Sequence, residues 1–274
     1  MPDVTTTARW AAAQRARESQ RPDRLFWDPF AAALAGEEGR MALAYSEKVN
    51  PREETSAYIA IRVKFLDDFI LRLVSEGMRQ IVIPAAGLDA RAFRLDLPSD
   101  VTVYELDHPD LLADKNRILQ REGAKSKCGR ITIAADLRNN WTSALEQAGF
   151  RRSQPSIWIL EGLLYYLPEK TVSPLFQQIS LLAAKGSGLA LDIVSRSTLS
   201  QPWMQAALEQ MKESGFPWQF GSDEPEELLA RFGWKAVARQ LGDDGANYGR
   251  WRFPMMPRAV KETFQMFLVE ARKT

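Results

Sequence analysis

The chain has one cysteine, Cys128, and one histidine, His108, in 274 residues. A single cysteine excludes an intrachain disulfide and suits a reducing compartment, so a cytoplasmic setting is expected. Zinc sites built from several Cys or His ligands are excluded by count, and no metal is expected. A Ser/His/Asp hydrolase would have to rest on His108 alone. Charge of one sign is also lacking: 36 Lys and Arg stand against 35 Asp and Glu. That balance gives no basic footprint for nucleic acid and no cationic face for an anionic membrane. No apolar run approaches the roughly 20 residues of a membrane helix. The start, MPDVTTTARWAAAQ, lacks the apolar stretch of a signal peptide.

What is present is a regular alternation. Residues 8–20 read as an Ala- and Arg-rich helix. Residues 21–36 are interrupted by Pro22 and Pro29. Residues 56–76 carry Ile59, Val63, Leu66, Phe69, Ile70 and Leu73 at helical spacing, with Gly77 as a stop. Five short apolar runs follow, at 80–87, 101–107, 130–137, 156–162 and 188–194. Helical stretches such as 109–121, 141–148 and 168–185 lie between them. Buried strands alternating with helices predict βαβ units and a parallel sheet. The runs 234–241 and 264–272 lack a long helix between them, which predicts an antiparallel hairpin at the sheet edge. The aromatic-rich stretch 200–232 predicts an added helical layer beside the strand ends. The whole, 1–274, reads as one α/β domain.

In such sheets a ligand binds beyond the carboxyl ends of the strands. The first run ends in Pro84-Ala85-Ala86-Gly87, the second in Glu105-Leu106-Asp107-His108, the third in Asp136-Leu137 and the fourth in Glu161-Gly162. Small residues after the first run let a ligand approach backbone. Asp107, twenty residues after Gly87, has the spacing of an acid that accepts from two ribose hydroxyls. An acid after the third run can accept from an adenine amine, and one after the fourth can face an ammonium. The phosphate-cradling GxGxxG is absent, because positions 85 and 86 are both Ala. This weakens NAD(P) or FAD and favours an adenosine ligand without pyrophosphate, such as S-adenosylmethionine.

Three stretches carry a resemblance: IVIPAAGLDARAFRL (81–95), VYELDHPDL (103–111) and ILEGLLYYL (159–167). With SAYIAIR (56–62) and RLFWDPFAAAL (24–34), they resemble the leucine carboxyl methyltransferase-like family, whose bacterial branch contains O-methyltransferases of secondary metabolism. The resemblance implies a doubly wound, mostly parallel seven-stranded sheet of the Rossmann-like class I methyltransferases, with a C-terminal antiparallel edge hairpin and a helical lid. It implies S-adenosyl-L-methionine as cofactor. By position, Arg62 would bind the methionyl carboxylate, Ala85 and Gly87 would line the ligand, and Asp107 would hold the ribose. Asp136 and Leu137 would frame the adenine, and Glu161 would approach the methionine part. Ala85 departs from the pattern, where Gly is common.

Plainer readings stand beside these. Gly87 could be only a turn, and Arg62 a helix-pairing residue. Asp89 could cap the following helix, and Arg91 or Arg94 could pair with Glu105, which lies in a buried strand and needs a partner. His108 reads as a helix N-terminal residue rather than a base. Tyr165, Tyr166, Trp203 and Trp218 are the substrate-facing candidates, with Phe216 and Phe220; lid core is the alternative for the tryptophans and phenylalanines. Cys128 reads as inert. Transfer to oxygen by in-line displacement needs mainly positioning. A carboxylate acceptor, on a small molecule or peptide, needs no base, whereas a hydroxyl needs one, and His108, Asp192 or a tyrosine are weak candidates. The rivals are a hydroxyl methyltransferase, a non-catalytic cofactor binder on the same fold, and an NAD(P) oxidoreductase, which would need the missing glycine loop. Segments 1–20 and 196–232 are expected to cover the cofactor and form the acceptor pocket.

Overall fold

The computed structural model describes residues 4–49, 54–139 and 141–274. Three helices come first: α1 (Val4–Ser19), α2 (Ala31–Val49) and α3 (Glu54–Ser75). The alternating part follows as β1 (Gln80–Pro84), α4 (Arg91–Arg94), β2 (Thr102–Asp107), α5 (Pro109–Arg121) and β3 (Gly129–Ala134). It continues through α6 (Trp141–Gln147), β4 (Ser156–Leu160), α7 (Glu169–Leu182) and β5 (Gly188–Val194). Short helices α8 (Arg196–Ser200), α9 (Gln205–Glu213) and α10 (Pro225–Ala230) precede β6 (Trp234–Gln240) and β7 (Met266–Lys273). The seven strands form one sheet in the order β3-β2-β1-β4-β5-β7-β6. The first five are parallel, while β7 runs antiparallel to β5 and to β6. The expected fold class and its edge hairpin are therefore observed. No helix among the described residues is long and apolar enough to cross a membrane.

The two-residue period of a strand sorts the core onto two faces. Val82, Leu106, Trp158, Leu160 and Leu191 pack with Phe176 and Ile179 of α7 and Trp141 of α6. Ile81, Ile83, Val103, Ile157 and Ile159 pack with Leu66, Phe69, Ile70 and Leu73 of α3. These are the α3 residues whose spacing marked a helix, and each is buried. Burial of each such side chain contributes about 1.5–3 kcal/mol. A third core joins Ala12 and Ala13 of α1 to Leu34 of α2, Leu88, and Leu111 and Ile118 of α5. The small side chains of α1 let it lie close over the loop that follows β1.

One element went unannounced and one expectation is corrected. The breaks at Pro22 and Pro29 precede a helix that sequence reading did not name: α2 starts two residues after Pro29 and continues through a kink at Gly36, whose φ is 60°. Its helical spacing is masked by Gly36 and Gly39, so periodicity alone passes over it. Glu105 pairs with neither Arg91 nor Arg94; its carboxylate is held by Lys115 Nζ at 2.7 Å and by Arg130 at 2.6 and 3.0 Å.

Candidate active site at the strand ends

The loop after β1 turns on two special positions, one on each side of Ala86. Ala85 has φ 53° and Gly87 φ 49°, both left-handed. For alanine this conformation costs of order 1 kcal/mol and persists only where the surroundings impose it. The turn aims the Gly87 amide at the Asp107 carboxylate, 2.6 Å away, and the His108 amide donates to its other oxygen at 2.7 Å. A carboxylate has about four acceptor positions, so the two amides leave Asp107 capacity for two more donors. His108 itself is exposed and precedes α5, as its plainer reading had it.

Beyond β4 and β5 lies a chain of buried charges. Asp192 sits in β5 on the face toward α3 and is fully buried. It accepts from the Gly162 amide at 2.6 Å, from Arg62 Nη1 at 3.2 Å and from the Tyr58 hydroxyl. Arg62 also donates to Glu161 Oε1 at 3.0 Å, and its Nη1 lies within hydrogen-bond reach of the Tyr58 and Tyr165 hydroxyls at 3.0 and 3.3 Å. The other Glu161 oxygen takes Arg91 Nη1 at 2.7 Å; Arg91 also binds Asp67 and Asp89, and Arg94 grips Asp67 twice. Gly162 takes a left-handed φ of 63° beside this cluster, with Arg62 Nη1 and the Tyr165 hydroxyl each 3.4 Å from where a Cβ would lie, an ordinary contact distance. Asp89 also accepts from the Arg91 amide at 2.7 Å, but the N-cap position of α4 is Ala90, so the expected capping role of Asp89 is not the one observed.

The charges at this end do not close on themselves. Arg62, Arg91 and Arg94 face Glu161, Asp192, Asp89 and Asp67, one carboxylate more than guanidiniums. Yet Arg62 Nη2 and the buried Arg91 Nη2 have no acceptor among the described residues. The cluster thus offers both a surplus acid and spare donors. Burial pushes the Glu161 carboxyl up, but Arg91 and Arg62 outweigh it and hold the group below its ordinary range. Burial also opposes charge on Asp89, and Arg91 with Lys115 overrides it, to about 2. Burial drives the Tyr58 and Tyr165 hydroxyls well above the usual tyrosine range, and raises Tyr166 too.

The other candidates scatter. Asp136 lies in the loop after β3, where a hydrogen bond from exposed Arg138 holds its carboxyl down to about 2. Leu137 is half-buried against the α7-side core. Tyr165 packs edge-on against Tyr166 and at a tilt against Trp218, with ring centres 4.7 Å apart in both pairs. The strap that carries Trp218 is tied down: the Gln219 amide donates to the Tyr165 carbonyl at 2.6 Å, and the Ser222 amide to the Val194 carbonyl at 2.9 Å. Phe220 joins the core and Phe216 is half-buried. Trp203 is 52% exposed and donates to the Glu262 carbonyl. Burial pushes the Cys128 thiol up, away from reactivity.

Sequence reasoning passed over Tyr58 as a site residue and gave Asp192 only a minor role. Both carried a signal: Tyr58 precedes Arg62 by one helical turn, and Asp192 interrupts a buried apolar strand. It also passed over the stretch between β6 and β7. Arg250 of that stretch pairs with Glu18 of α1 and with Asp23, and Tyr248 packs near Lys64 of α3. Its ends meet the carboxyl end of β5, because Val194 is opposite Met266. From the other side, α1 reaches the β1 loop: Arg15 donates to the Leu88 carbonyl at 2.7 Å, and a Cβ on Gly87 would lie 3.6 Å from Ala8.

Comparison with known proteins bears on this arrangement. Residues 8–180 match the leucine carboxyl methyltransferase family. A Frankia alni protein provisionally named an S-adenosyl-L-methionine-dependent methyltransferase is 36% identical, covering 99% of this chain and 95% of its own. A Streptomyces avermitilis relative with the same provisional name is 38% identical, covering 90% of this chain and 88% of its own. A crystal structure from Thermobifida fusca, provisionally named a methyltransferase, superposes with a TM-score of 0.64 at 19% identity, over 100% of this chain and 97% of the other; at that identity the likeness speaks for the fold.

Proposed function

The chain belongs to the leucine carboxyl methyltransferase family and is an S-adenosylmethionine-dependent methyltransferase, and from that premise we propose that it methylates a carboxylate oxygen. The observation that carries the choice of oxygen is the state of the groups around Arg62. A hydroxyl acceptor needs a base. Tyr58, Tyr165 and Tyr166 are held protonated by burial, and Asp192 already accepts three hydrogen bonds. A carboxylate acceptor arrives ionised and asks for none of them.

The residues fit the cofactor group by group. Asp107 has two acceptor positions to spare for ribose hydroxyls. Arg62 Nη2 is available to the methionyl carboxylate, and the surplus acid, with Glu161 at its centre, suits the ammonium. Asp136 and Leu137, in the loop after β3, would meet the adenine amine and ring. S-adenosylmethionine, when bound, supplies a methyl group activated by a sulfonium. The contribution of the protein is orientation and exclusion of water. We assign the covering role to the two segments expected from sequence, 1–20 and 196–232, and add the β6–β7 stretch as a third element.

The test is calorimetry with S-adenosylhomocysteine and with NADP, followed by labelled methyl transfer to a panel of carboxylic acids and their hydroxyl counterparts. Binding of the first ligand alone and base-labile label on the acids supports the reading. Label that survives mild base, carried by alcohols or phenols, overturns the choice of oxygen.

A further inference from the structure

A guanidinium offers five N–H protons in a rigid fork, and those of Arg62 are unevenly used. The single Nε proton goes to Glu161 at 3.0 Å. Three oxygens crowd the two protons of Nη1: Asp192 at 3.2 Å, the Tyr58 hydroxyl at 3.0 Å and the Tyr165 hydroxyl at 3.3 Å. Nη2 has no acceptor among the described residues. It is also absent from the unpartnered atoms that are sealed from solvent, so it retains accessible surface. The fork is therefore gripped at two nitrogens and presented at the third.

Asp192 is the common point of that grip. It is fully buried in β5 between Leu191 and Ile193, where a carboxylate must be paired. Its Oδ2 accepts from Arg62 Nη1 and from the Tyr58 hydroxyl, and the same hydroxyl accepts from Arg62, which closes a triangle. Its Oδ1 accepts from the Gly162 amide at 2.6 Å, in the turn that also carries Glu161. One side chain thus ties down the guanidinium and the residue next to its other carboxylate partner. The tie starts from an interior strand, since β5 pairs with β4 on one side and with β7 on the other. Interior strands are among the last parts of a fold to open.

We propose that Asp192, helped by Tyr58, is a positioning residue for the cofactor: it pins Arg62 at Nη1 so that Nη2 is held out to the methionyl carboxylate. The proposal rests on the methyl-transfer reading and on Arg62 as the partner of that carboxylate. Asp192 acts through Arg62 and not on the ligand. Its negative charge by itself repels an anionic group nearby. The arrangement favours binding because a guanidinium already fixed in place loses little freedom when the ligand arrives. The two effects have opposite signs, so experiment separates them.

The test compares two ligands by calorimetry. S-adenosylhomocysteine carries the amino-acid end, and 5′-methylthioadenosine keeps the adenosyl part without it. Asp192→Asn preserves shape and removes the charge. It should bind S-adenosylhomocysteine about ten- to hundredfold more weakly and 5′-methylthioadenosine within about twofold of the parent. Tyr58→Phe removes one corner of the triangle and no charge. It should lose about two- to fivefold, again for S-adenosylhomocysteine alone, and it decides the matter should Asp192→Asn fold poorly. Adding Asp192→Asn to Arg62→Met should weaken S-adenosylhomocysteine no further than Arg62→Met does, because nothing is left to position. A loss shared equally by both ligands makes Asp192 a fastener of the fold and overturns the proposal. Unchanged or tighter S-adenosylhomocysteine binding overturns it too, as does a further loss in the Arg62→Met background. A parent that binds S-adenosylhomocysteine no tighter than 5′-methylthioadenosine removes the Arg62 assignment and the proposal with it. A parent that binds neither ligand overturns methyl transfer itself.

Discussion

The buried charges around Glu105 and those around Glu161 are made of the same residue types and differ in how they are closed. Glu105 is held directly by two cations: Lys115, with no exposed side-chain surface and with a weaker pull on Asp89, and Arg130, which also ties to Asn116 at 2.8 Å. Neither Lys115 nor Arg130 appears among the buried atoms that lack partners. Glu161 sits where strands end, shares its cations with Asp192, Asp89 and Asp67, and leaves guanidinium nitrogens spare. Burial of charge is common to both and so does not reveal a binding site. What distinguishes the second cluster is an unmatched acid beside unused donors, next to a backbone turn held in an unfavourable conformation. The first cluster is read as a fastener between α5, β2 and β3, the second as a receptor.

Breaking the fastener should give the largest effect on stability. Lys115→Met leaves Glu105 buried with only Arg130 and should cost about 3–5 kcal/mol in chemical denaturation. Affinity for S-adenosylhomocysteine, measured below the unfolding transition, should stay within about twofold. A variant that folds as well as the parent but loses the ligand would reverse the assignment of the two clusters.

Asp107→Ala acts on the receptor side. It removes the charged acceptor for two hydroxyls, each such bond being worth about 1.5–3 kcal/mol. Calorimetry should show S-adenosylhomocysteine binding at least tenfold weaker. Unchanged affinity would remove the ribose assignment.

Asp89 sharpens the comparison through pH. Its folded pKa, about 2, lies below its ordinary value near 3.8. A lowered carboxyl pKa stabilises the fold above the ordinary value, and that contribution disappears as pH falls from about 4 toward 2. Asp89→Asn should therefore be less stable than the parent by about 2 kcal/mol at pH 6, with about two-thirds of that difference gone by pH 2.5. Denaturation curves at both values check this; a constant difference would mean that the loss is packing rather than charge.

Ala85→Gly should do least. Relief of the left-handed strain is offset by the greater freedom of glycine in the unfolded chain, so stability should change by less than about 1 kcal/mol. Ligand affinity should be equal or higher. A clear loss of affinity would show that the Ala85 methyl itself contacts the ligand.

Much of the scaffold was legible locally. The five parallel strands lie within or next to the apolar runs that announced them, and α5 spans the expected Pro109–Arg121. The acids at the strand ends were visible because an acid closing an apolar run is conspicuous whatever its partner. The partners were not visible. Arg62 meets Asp192 across 130 positions and Arg91 meets Glu161 across 70. Glu105 illustrates the limit: that it needed a cation followed from its burial, but which cation did not.

The sequence by itself determined the α/β alternation, the antiparallel edge and the family, since these rest on side-chain period and on short motifs read within a few residues. Only the tertiary structure decided that Asp192 is the hub of the Arg62 cluster and that the β6–β7 stretch turns back onto α1 through Arg250. These join residues 130 and 232 positions apart. Hydrogen bonds and ion pairs depend on distances of about 3 Å, and a linear pattern carries no such distance until the sheet has brought its strand ends together.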